Sequence, residues 1–491
     1  MKKNLLIWAV LSTAVVAACV PEEKVDDAPK KSSECKLSSL VVNVGEGSIE
    51  AFIDQAEKTL EISYVPNEYL FLSAATATAV ISDNASITPD PAEVLDYTQE
   101  SLVFTVTAED GESVAEYRVV LAEAEFTQKA KFLWSKTYGE LGINGSVTNQ
   151  CRVAFCDVDK FATATLDVFD LEGNKLGQLN TEGIPGLDAY NGQLGSMSND
   201  ENGVLVALCC YGGANEASTV HTSIYAWING WDQAPTLIYG PTDYQCYYLS
   251  VAGDVTGKFI VNLRTGVSAP PQMHHVLVYD GNGYSAEDNI TWHGVKINHP
   301  SNDGCWGQML SFFSANPEDG FVCWDSAGPQ EFGEVPGVDN ASSAFYVYDG
   351  LTAYENQFNA GEVNETILKG GVNWVDWDSD GRYYGYGNYS AGHVRAFIYN
   401  GQKYVVAISS SWHCNWITIQ KADNIVEDDD TTDDKDESEA NYFLPTYQIP
   451  DASEIFPSSA YVYDPASGTG HVLVDSQLTK ITAFDMLTDR I

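Results

Sequence analysis

The chain is poor in basic residues. Lys and Arg total 25 of 491 residues against 69 Asp and Glu, which leaves a formal charge of −44 at pH 7. A surface of this sign repels nucleic-acid phosphates and anionic lipid headgroups. We therefore expect no nucleic-acid partner and no electrostatic attachment to a membrane.

Common catalytic signatures are also missing. The sequence has no nucleophile elbow, no P-loop and no His-Glu-x-x-His. Segment 377–383, Trp-Asp-Ser-Asp-Gly-Arg-Tyr, contains the residue types of the repeated motif of sialidases, but their spacing is different. We interpret the segment as a turn. Acidic residues are too abundant for any pair to identify a glycosidase. No catalytic residue and no cofactor are predicted, and a binding role is favoured over an enzymatic one.

No apolar run is long enough to cross a bilayer. Residues 5–17 follow a basic start, the arrangement of an export signal. Val16-Ala-Ala-Cys19 matches the bacterial lipobox, so 1–18 is predicted to be a lipoprotein signal peptide and Cys19 the lipidated residue. A plain secretory signal with a chance cysteine is the alternative. Residues 19–36 predict a solvated acidic tether.

The next segment, 37–121, alternates apolar and polar residues in short runs. Strand patterns at 60–65, 79–81, 102–107 and 116–121 are separated by turn residues. Several short strands over this length predict a small β-sandwich, interpreted as a spacer. Residues 122–131 are predicted to be a polar linker.

A strand-and-turn pattern recurs through the rest of the chain. It is clearest at 275–283, and its copies have turn residues at 170, 229, 280, 349, 400 and 464, in steps of 51 to 69 residues. This period predicts a six-bladed β-propeller over 131–491. Strand-like segments left at its two ends, 131–138 and 480–487, are predicted to share a blade and so remove an exposed edge. The whole chain is thus predicted to be all-β.

An acidic insert at 421–440 interrupts the last repeat. Its run of carboxylates at 427–437 offers oxygen ligands for Ca²⁺, but it lacks the spacing of an EF-hand loop. Because like-charge runs are usually solvated, we interpret it as a solvated insert away from the funnel mouth.

The order of these parts resembles a known family. Segment 106–119, following Ile-Thr-Pro-Asp-Pro at 87–91, is similar to the immunoglobulin-like modules of Bacteroides surface lipoproteins. Lipobox, tether, immunoglobulin-like module and β-propeller together resemble a family of unknown function, over essentially the whole chain. The resemblance implies a lipid-anchored protein of the outer membrane, exposed at the cell surface, that handles glycans. It assigns no site residue.

Candidate ligand-binding residues come from loops predicted to form the funnel mouth. Aligning the repeats places five at or beside the starts of inner strands: Arg152, Tyr247, Trp306, Asn373 and Asn415. Six more are predicted on neighbouring loops: Arg264, Trp292, Trp324, Arg395, Trp412 and His413. Aromatic faces with flanking polar groups suit a glycan or another hydroxyl-rich ligand, although aromatic residues also pack between blades.

Cysteines stand at four of the aligned strand starts, residues 151, 246, 305 and 414. Converging thiolates can bind Zn²⁺, but small apolar packing is favoured and no metal is predicted. Besides Cys19 there are nine cysteines, so at least one stays unpaired.

The sequence therefore predicts a lipid-anchored surface protein that captures a glycan at the funnel mouth. Two alternatives remain: a propeller glycoside hydrolase or lyase, which needs two facing carboxylates, and a structural or protein-docking component of an envelope complex.

Overall fold

The computed structural model describes residues 30–45, 47–143, 152–185, 187, 194–211, 221–242, 246–265, 273–281, 284–291, 310–325, 344–348, 350, 368–371, 392–410, 414–422, 447–450, 457–476 and 479–490. Regular structure in these residues is nearly all β-strand, which confirms the predicted all-β class. The exceptions within the described ranges include one short helix, α1 (Pro66–Leu72), and a 3-10 turn at Pro317–Asp319.

The N-terminal domain is built from two sheets. One has the order β2 (Gly47–Glu50), β1 (Leu37–Val44), β5 (Ala77–Ile81). The other has the order β3 (Phe52–Asp54), β4 (Thr59–Tyr64), β8 (Val114–Glu123), β7 (Val103–Thr107), β6 (Ser86–Thr88). All four predicted strands are present. Alternate residues, such as Leu60 and Ile62 of β4 and Phe104 and Val106 of β7, enter one common core.

The N-terminal domain continues into the next unit with almost no linker. Only Ala124 and Glu125 separate β8 from β9 (Phe126–Thr137), so most of segment 122–131 is strand, and the linker prediction is wrong. The residues of β9 are largely exposed or half-buried, with little apolar content at its start. An edge strand of this composition resembles a polar linker when only the sequence is considered.

Six four-stranded antiparallel sheets make up the rest of the described chain. Sheet 1 contains β10 (Val153–Asp157), β11 (Lys160–Thr163), β12 (Asp167–Asp170) and β13 (Lys175–Gln178). Sheet 2 contains β14 (Ser196–Asn199), β15 (Leu205–Tyr211), β16 (His221–Ala226) and β17 (Thr236–Tyr239). Sheet 3 contains β18 (Cys246–Gly253), β19 (Lys258–Thr265), β20 (Met273–Asp280) and β21 (Tyr284–Thr291).

The remaining three sheets follow the same order. Sheet 4 contains β22 (Leu310–Phe312), β23 (Phe321–Asp325), β24 (Ala344–Tyr348) and β25 (Leu368–Gly371). Sheet 5 contains β26 (Gly392–Tyr399), β27 (Gln402–Ser410), β28 (Cys414–Lys421) and β29 (Tyr447–Pro450). Sheet 6 contains β30 (Ser458–Asp464), β31 (Thr469–Ser476), β32 (Lys480–Arg490) and, as its fourth strand, β9.

Sheet 6 therefore joins the two ends of the six-sheet unit. β9 pairs antiparallel with β32, from Thr137 opposite Lys480 to Phe126 opposite Arg490. The predicted pairing of the two end segments is confirmed. The pairing covers a strand edge that each segment would otherwise expose.

The first strands of the six sheets contact one another in cyclic order. Each contacts the first strand of the next sheet, and β30 of sheet 6 contacts β10 of sheet 1. Apolar side chains pack between neighbouring sheets, for example Phe155 and Phe169 of sheet 1 with Val462 and Leu473 of sheet 6. The first strands thus lie innermost.

The repeat alignment is correct for four sheets and wrong for two. In sheets 1 to 4 the recurrent turn follows the third strand, but segments 395–401 and 460–465 are the first strands of sheets 5 and 6 with their turns. First and third strands of an antiparallel sheet run in the same direction, and each ends in a hairpin turn. The same local pattern therefore marks either strand.

The six-sheet unit has two distinct faces. The turn face carries the connections from first to second strands, which range from two residues (158–159) to eight (313–320). The loop face carries the connections between consecutive sheets, which range from six residues (240–245) to twenty (372–391). First strands start at the loop face, so their first residues are candidates for ligand contact.

Candidate functional site

Some of the predicted site residues lie at first-strand starts, some lie in other strands, and some fall outside the described residues. Arg152 directly precedes β10, and Tyr247 lies near the start of β18, so both stand at first-strand starts as predicted. Asn415 instead lies in β28, the third strand of sheet 5, because the alignment of that repeat was wrong. Trp324 lies in β23, a second strand. For Tyr247, Trp324 and Asn415 the strand position alone is described. Outside the described residues lie Cys19, Trp292, Trp306, Asn373, Trp412, His413 and most of the insert 421–440.

Polar side chains connect each first strand to the next. All six junctions of the cycle carry a hydrogen bond between a side chain of one sheet and the backbone of its neighbour. With the donor written first, the six bonds are Arg152 N to Ser458 Oγ (3.0 Å), Phe155 N to Asn199 Oδ1 (3.3 Å), Leu249 N to Ser196 Oγ (3.1 Å), Ser250 Oγ to Leu310 O (2.6 Å), Ala396 N to Ser311 Oγ (3.0 Å) and Ser459 N to His393 Nε2 (3.1 Å). A first strand leaves backbone groups unpaired on its inner edge, and these side chains satisfy them.

Arg395 crosses the interior of the six-sheet unit. Its side chain starts from β26 in sheet 5 and donates to Ser198 Oγ at 2.7 Å and to the Asn199 carbonyl at 2.8 Å, both in sheet 2. Asn199 in turn donates from Nδ2 to the Tyr461 carbonyl of sheet 6 at 2.7 Å. Arg395 was predicted on a loop; it lies within a strand, is 7% exposed, and bridges sheets that are three apart in the cycle.

His393 lies two residues before Arg395 on the same strand. Burial, and then the charge of Arg395, lowers the pKa of His393 to about 3. The ring is therefore neutral at physiological pH, and Nε2 accepts the Ser459 N–H. A neutral acceptor at this position keeps sheets 5 and 6 joined without adding a second positive charge.

Arg264 is fully buried within sheet 3. It lies in β19, and its guanidinium carbon is 5.0 Å from the centre of the Tyr248 ring. This is a cation–π contact in a desolvated setting, which stabilises the packing of β18 on β19. The predicted loop position of Arg264 is thus corrected to a buried strand position, because β19 extends to Thr265.

A polar cluster lies where sheet 6 meets sheet 1, at the loop face. Asp475, the second-last residue of β31, is fully buried, and its Oδ1 accepts the Tyr138 hydroxyl at 2.6 Å. Arg152, also buried, stands beside it at the start of sheet 1. Burial raises the pKa of Asp475 to about 6, while the charge of Arg152 and the Tyr138 hydroxyl act in the opposite direction. We call Asp475, Tyr138, Arg152 and Ser458 the seam cluster.

Sequence patterns identified only part of the seam cluster. Arg152 was found because it precedes a repeat, whereas Asp475 and Tyr138 were missed. Asp475 ends the second strand of its sheet, so a search over all strand ends at the loop face would have included it. Tyr138 follows β9, which reaches sheet 6 only through pairing of the two ends of the chain.

The described cysteines show no metal site. Cys35 and Cys156 are free thiols, Cys209 and Cys246 are buried, and burial raises the pKa of the Cys156 thiol. Within the described ranges no three His, Cys, Asp or Glu side chains cluster so as to hold a metal ion. Cys414 starts a third strand, so the four aligned cysteines do not share one structural position.

Comparison with known proteins supports a glycan-related family for the N-terminal domain. Residues 39–121 match a family model described as "SGBP, N-terminal". No curated protein matches the chain. In the part of the chain that the structure describes, no helix has the length and apolar character needed to cross a membrane.

Two solved structures from Bacteroides cover most of the chain. A DUF4623 family protein from Bacteroides eggerthii is 10% identical, with a TM-score of 0.39 over 93% of this chain and 99% of its own. A phosphatase candidate from Bacteroides thetaiotaomicron is 12% identical, with a TM-score of 0.34 over 93% of each chain. TM-scores this low do not establish a shared fold.

Proposed function

We propose that the six sheets are the blades of a β-propeller and that the protein binds a glycan at the loop face. The observation that carries the glycan assignment is the match of residues 39–121 to the N-terminal domain of SGBPs, which are surface glycan-binding proteins. The fold adds a location, because long connections on a rigid scaffold are where binding residues concentrate.

The N-terminal domain packs on the opposite, turn face. A Cβ atom at Gly45 would lie 2.8 Å from the Ala466 carbonyl in the β30–β31 turn, and one at Gly401, in the β26–β27 turn, 3.8 Å from Pro66 Cβ. Glu68 of α1 also pairs with Arg490 at the end of β32. The domain is therefore docked against sheets 5 and 6, and the ligand face stays uncovered by it.

The chain enters the N-terminal domain at the end remote from the sheets. The Ser32 carbonyl accepts the Asp110 N–H in the β7–β8 turn, whereas Glu123, at the other end of β8, leads into β9. Ten residues of extended strand separate these ends, a distance of about 30 Å. If Cys19 carries a lipid, as its lipobox predicts, the loop face points away from the outer membrane and the domain serves as a spacer.

Binding to a polysaccharide panel tests this function. The mature protein is run in native gels that contain starch, xylan, arabinogalactan, pectic galactan or gastric mucin, with bovine serum albumin as the non-binding control. Retardation by at least one polysaccharide, reproduced by calorimetry in solution, is expected. Migration unchanged in every gel would contradict the glycan assignment.

A further inference from the structure

The two strands that close the six-sheet unit, β9 and β32, end against the N-terminal domain. The last residues paired between these closing strands are Phe126 and Arg490. Just before β9, the Ala124 N–H donates to the Tyr64 carbonyl of β4 at 2.8 Å. On the other strand, Arg490 forms an ion pair with Glu68 of α1. The N-terminal domain therefore holds both closing strands at this end.

Sheet 5 meets the same end of the closing strands. Thr488 of β32 donates from Oγ1 to the Tyr399 hydroxyl at 3.0 Å, and Gln128 of β9 donates from Nε2 to the Tyr399 carbonyl at 3.3 Å. Tyr399 is the last residue of β26. The turn that follows lies beside the domain, since a Cβ atom at Gly401 would be 3.8 Å from Pro66 Cβ. The domain, the closing strands and the first turn of sheet 5 thus form one contact region.

Burial of β9 itself contributes little to closure. Every residue of β9 is exposed or half-buried. The closing strands also join distant parts of the chain, because Lys129 and Asp489, which form an ion pair between them, are 360 residues apart. Joining segments so far apart costs chain entropy, and the ends of a strand pair are where local opening starts. Contacts that hold the last residues of β9 and β32 therefore act where opening begins.

We propose that the N-terminal domain has a second function, as a clamp on the closing strands. Only two residues separate β8 from β9, so the start of β9 moves with the domain. If it leaves β32, the Glu68–Arg490 ion pair and the close approach of Gly45 to the β30–β31 turn are broken as well. Opening of the six-sheet unit and undocking of the domain are thereby coupled, whatever the protein binds. A domain that acts as a spacer alone needs none of these contacts.

Weakening the core of the N-terminal domain tests whether closure depends on it. Ile62 of β4 is fully buried in that core, and Ile62→Ala removes apolar contacts and leaves a cavity. Hydrogen–deuterium exchange of the mature protein should then be faster in residues 37–123. It should also be faster, by about tenfold or more, in 126–137 and 480–490. Exchange in sheet 3 should stay within about twofold of the wild-type rate.

A matched variant in the six-sheet unit controls for general destabilisation. Ile260→Ala removes another buried isoleucine, from β19 of sheet 3. It should speed exchange in sheet 3 and leave the closing strands within about twofold of the wild-type rate. Equal acceleration of the closing strands by Ile260→Ala and Ile62→Ala would show general unfolding and would overturn the clamp.

Two milder variants apply if Ile62→Ala does not fold. Ile62→Val makes a smaller cavity, and should speed exchange of the closing strands by about twofold to fivefold. Arg490→Gln leaves the domain core intact and removes the ion pair with Glu68, so exchange should be about twofold faster at residues 126–129 and 487–490 alone. If the Ile62 variants exchange faster only in residues 37–123, the domain is a spacer alone and the proposal fails.

Discussion

At the residue scale, the interior of the six-sheet unit depends on polar groups held away from water. His393 and Asp475 are both fully buried, yet burial moves their pKa values in opposite directions, to about 3 and about 6. Burial penalises whichever form is charged, so the acid becomes harder to ionise and the base harder to protonate.

These shifts predict opposite effects of pH on stability. In the folded protein the pKa of Asp475 is about 6, above the ordinary value of 3.8. The contribution of Asp475 to stability is therefore complete below pH 3.8 and is lost as the pH rises through 6. The folded pKa of His393, about 3, lies below 6.5, so its contribution is complete above 6.5 and is lost as pH falls towards 3.

Substitution of each residue isolates its contribution. Between about pH 4 and pH 6, the free energy of unfolding of Asp475→Asn minus that of the wild type should rise with pH, by on the order of 2 kcal/mol. The stability of His393→Gln relative to wild type should fall with rising pH over the same window. Urea unfolding at a series of pH values measures both differences. Parallel curves for wild type and Asp475→Asn would contradict the assignment of a buried, ionisable carboxylate.

At the element scale, the docking of the N-terminal domain depends on a close backbone approach. Gly45 follows β1 with φ of +57°, and a Cβ atom there would lie 2.8 Å from the Ala466 carbonyl. Gly111 has a similar φ of +73°, but a Cβ atom there would meet nothing within 4 Å. An alanine at either position therefore strains the backbone to a similar extent, but only an alanine at Gly45 also meets the Ala466 carbonyl.

Gly45→Ala should destabilise the protein more than Gly111→Ala does. Strain at positive φ costs each variant about 1 kcal/mol, and the steric conflict with Ala466 should add roughly 1–3 kcal/mol for Gly45 alone. Chemical denaturation of the two variants measures the difference. Limited proteolysis between β8 and β9 should also be faster in Gly45→Ala only. Equal stability of the two variants would show that the domain does not dock on the β30–β31 turn.

Elements with strong local patterns were predictable from the sequence, and contacts between distant elements were less so. Alternation identified the strands of the N-terminal domain, and spare segments at both ends correctly indicated the β9–β32 pairing. The strands of sheets 5 and 6 were misaligned because a first and a third strand look alike locally. Arg395 was placed on a loop because segment 395–401 was aligned as a third strand that starts at Arg395, whereas β26 is a first strand that starts at Gly392. Its contacts in sheet 2 could not be predicted, because they lie 197 residues away in the chain.

At the scale of the whole molecule, the N-terminal domain and the loop face lie at opposite ends of the six-sheet unit. The N-terminal domain covers part of the turn face through Gly45, Glu68 and their partners in sheets 5 and 6. The loop face bears the starts of all six first strands and the seam cluster. The proposed function therefore places the glycan on the side opposite to the N-terminal domain.

Hydrogen–deuterium exchange shows which face of the protein a polysaccharide contacts. The mature protein is compared with and without the polysaccharide that retards it most strongly in native gels. Exchange should slow at the loop-face ends of β10, β18, β30 and β31, with residues 39–121 and the turn-face hairpins unchanged. Slowed exchange confined to residues 39–121, or to the turn face, would contradict glycan binding at the loop face.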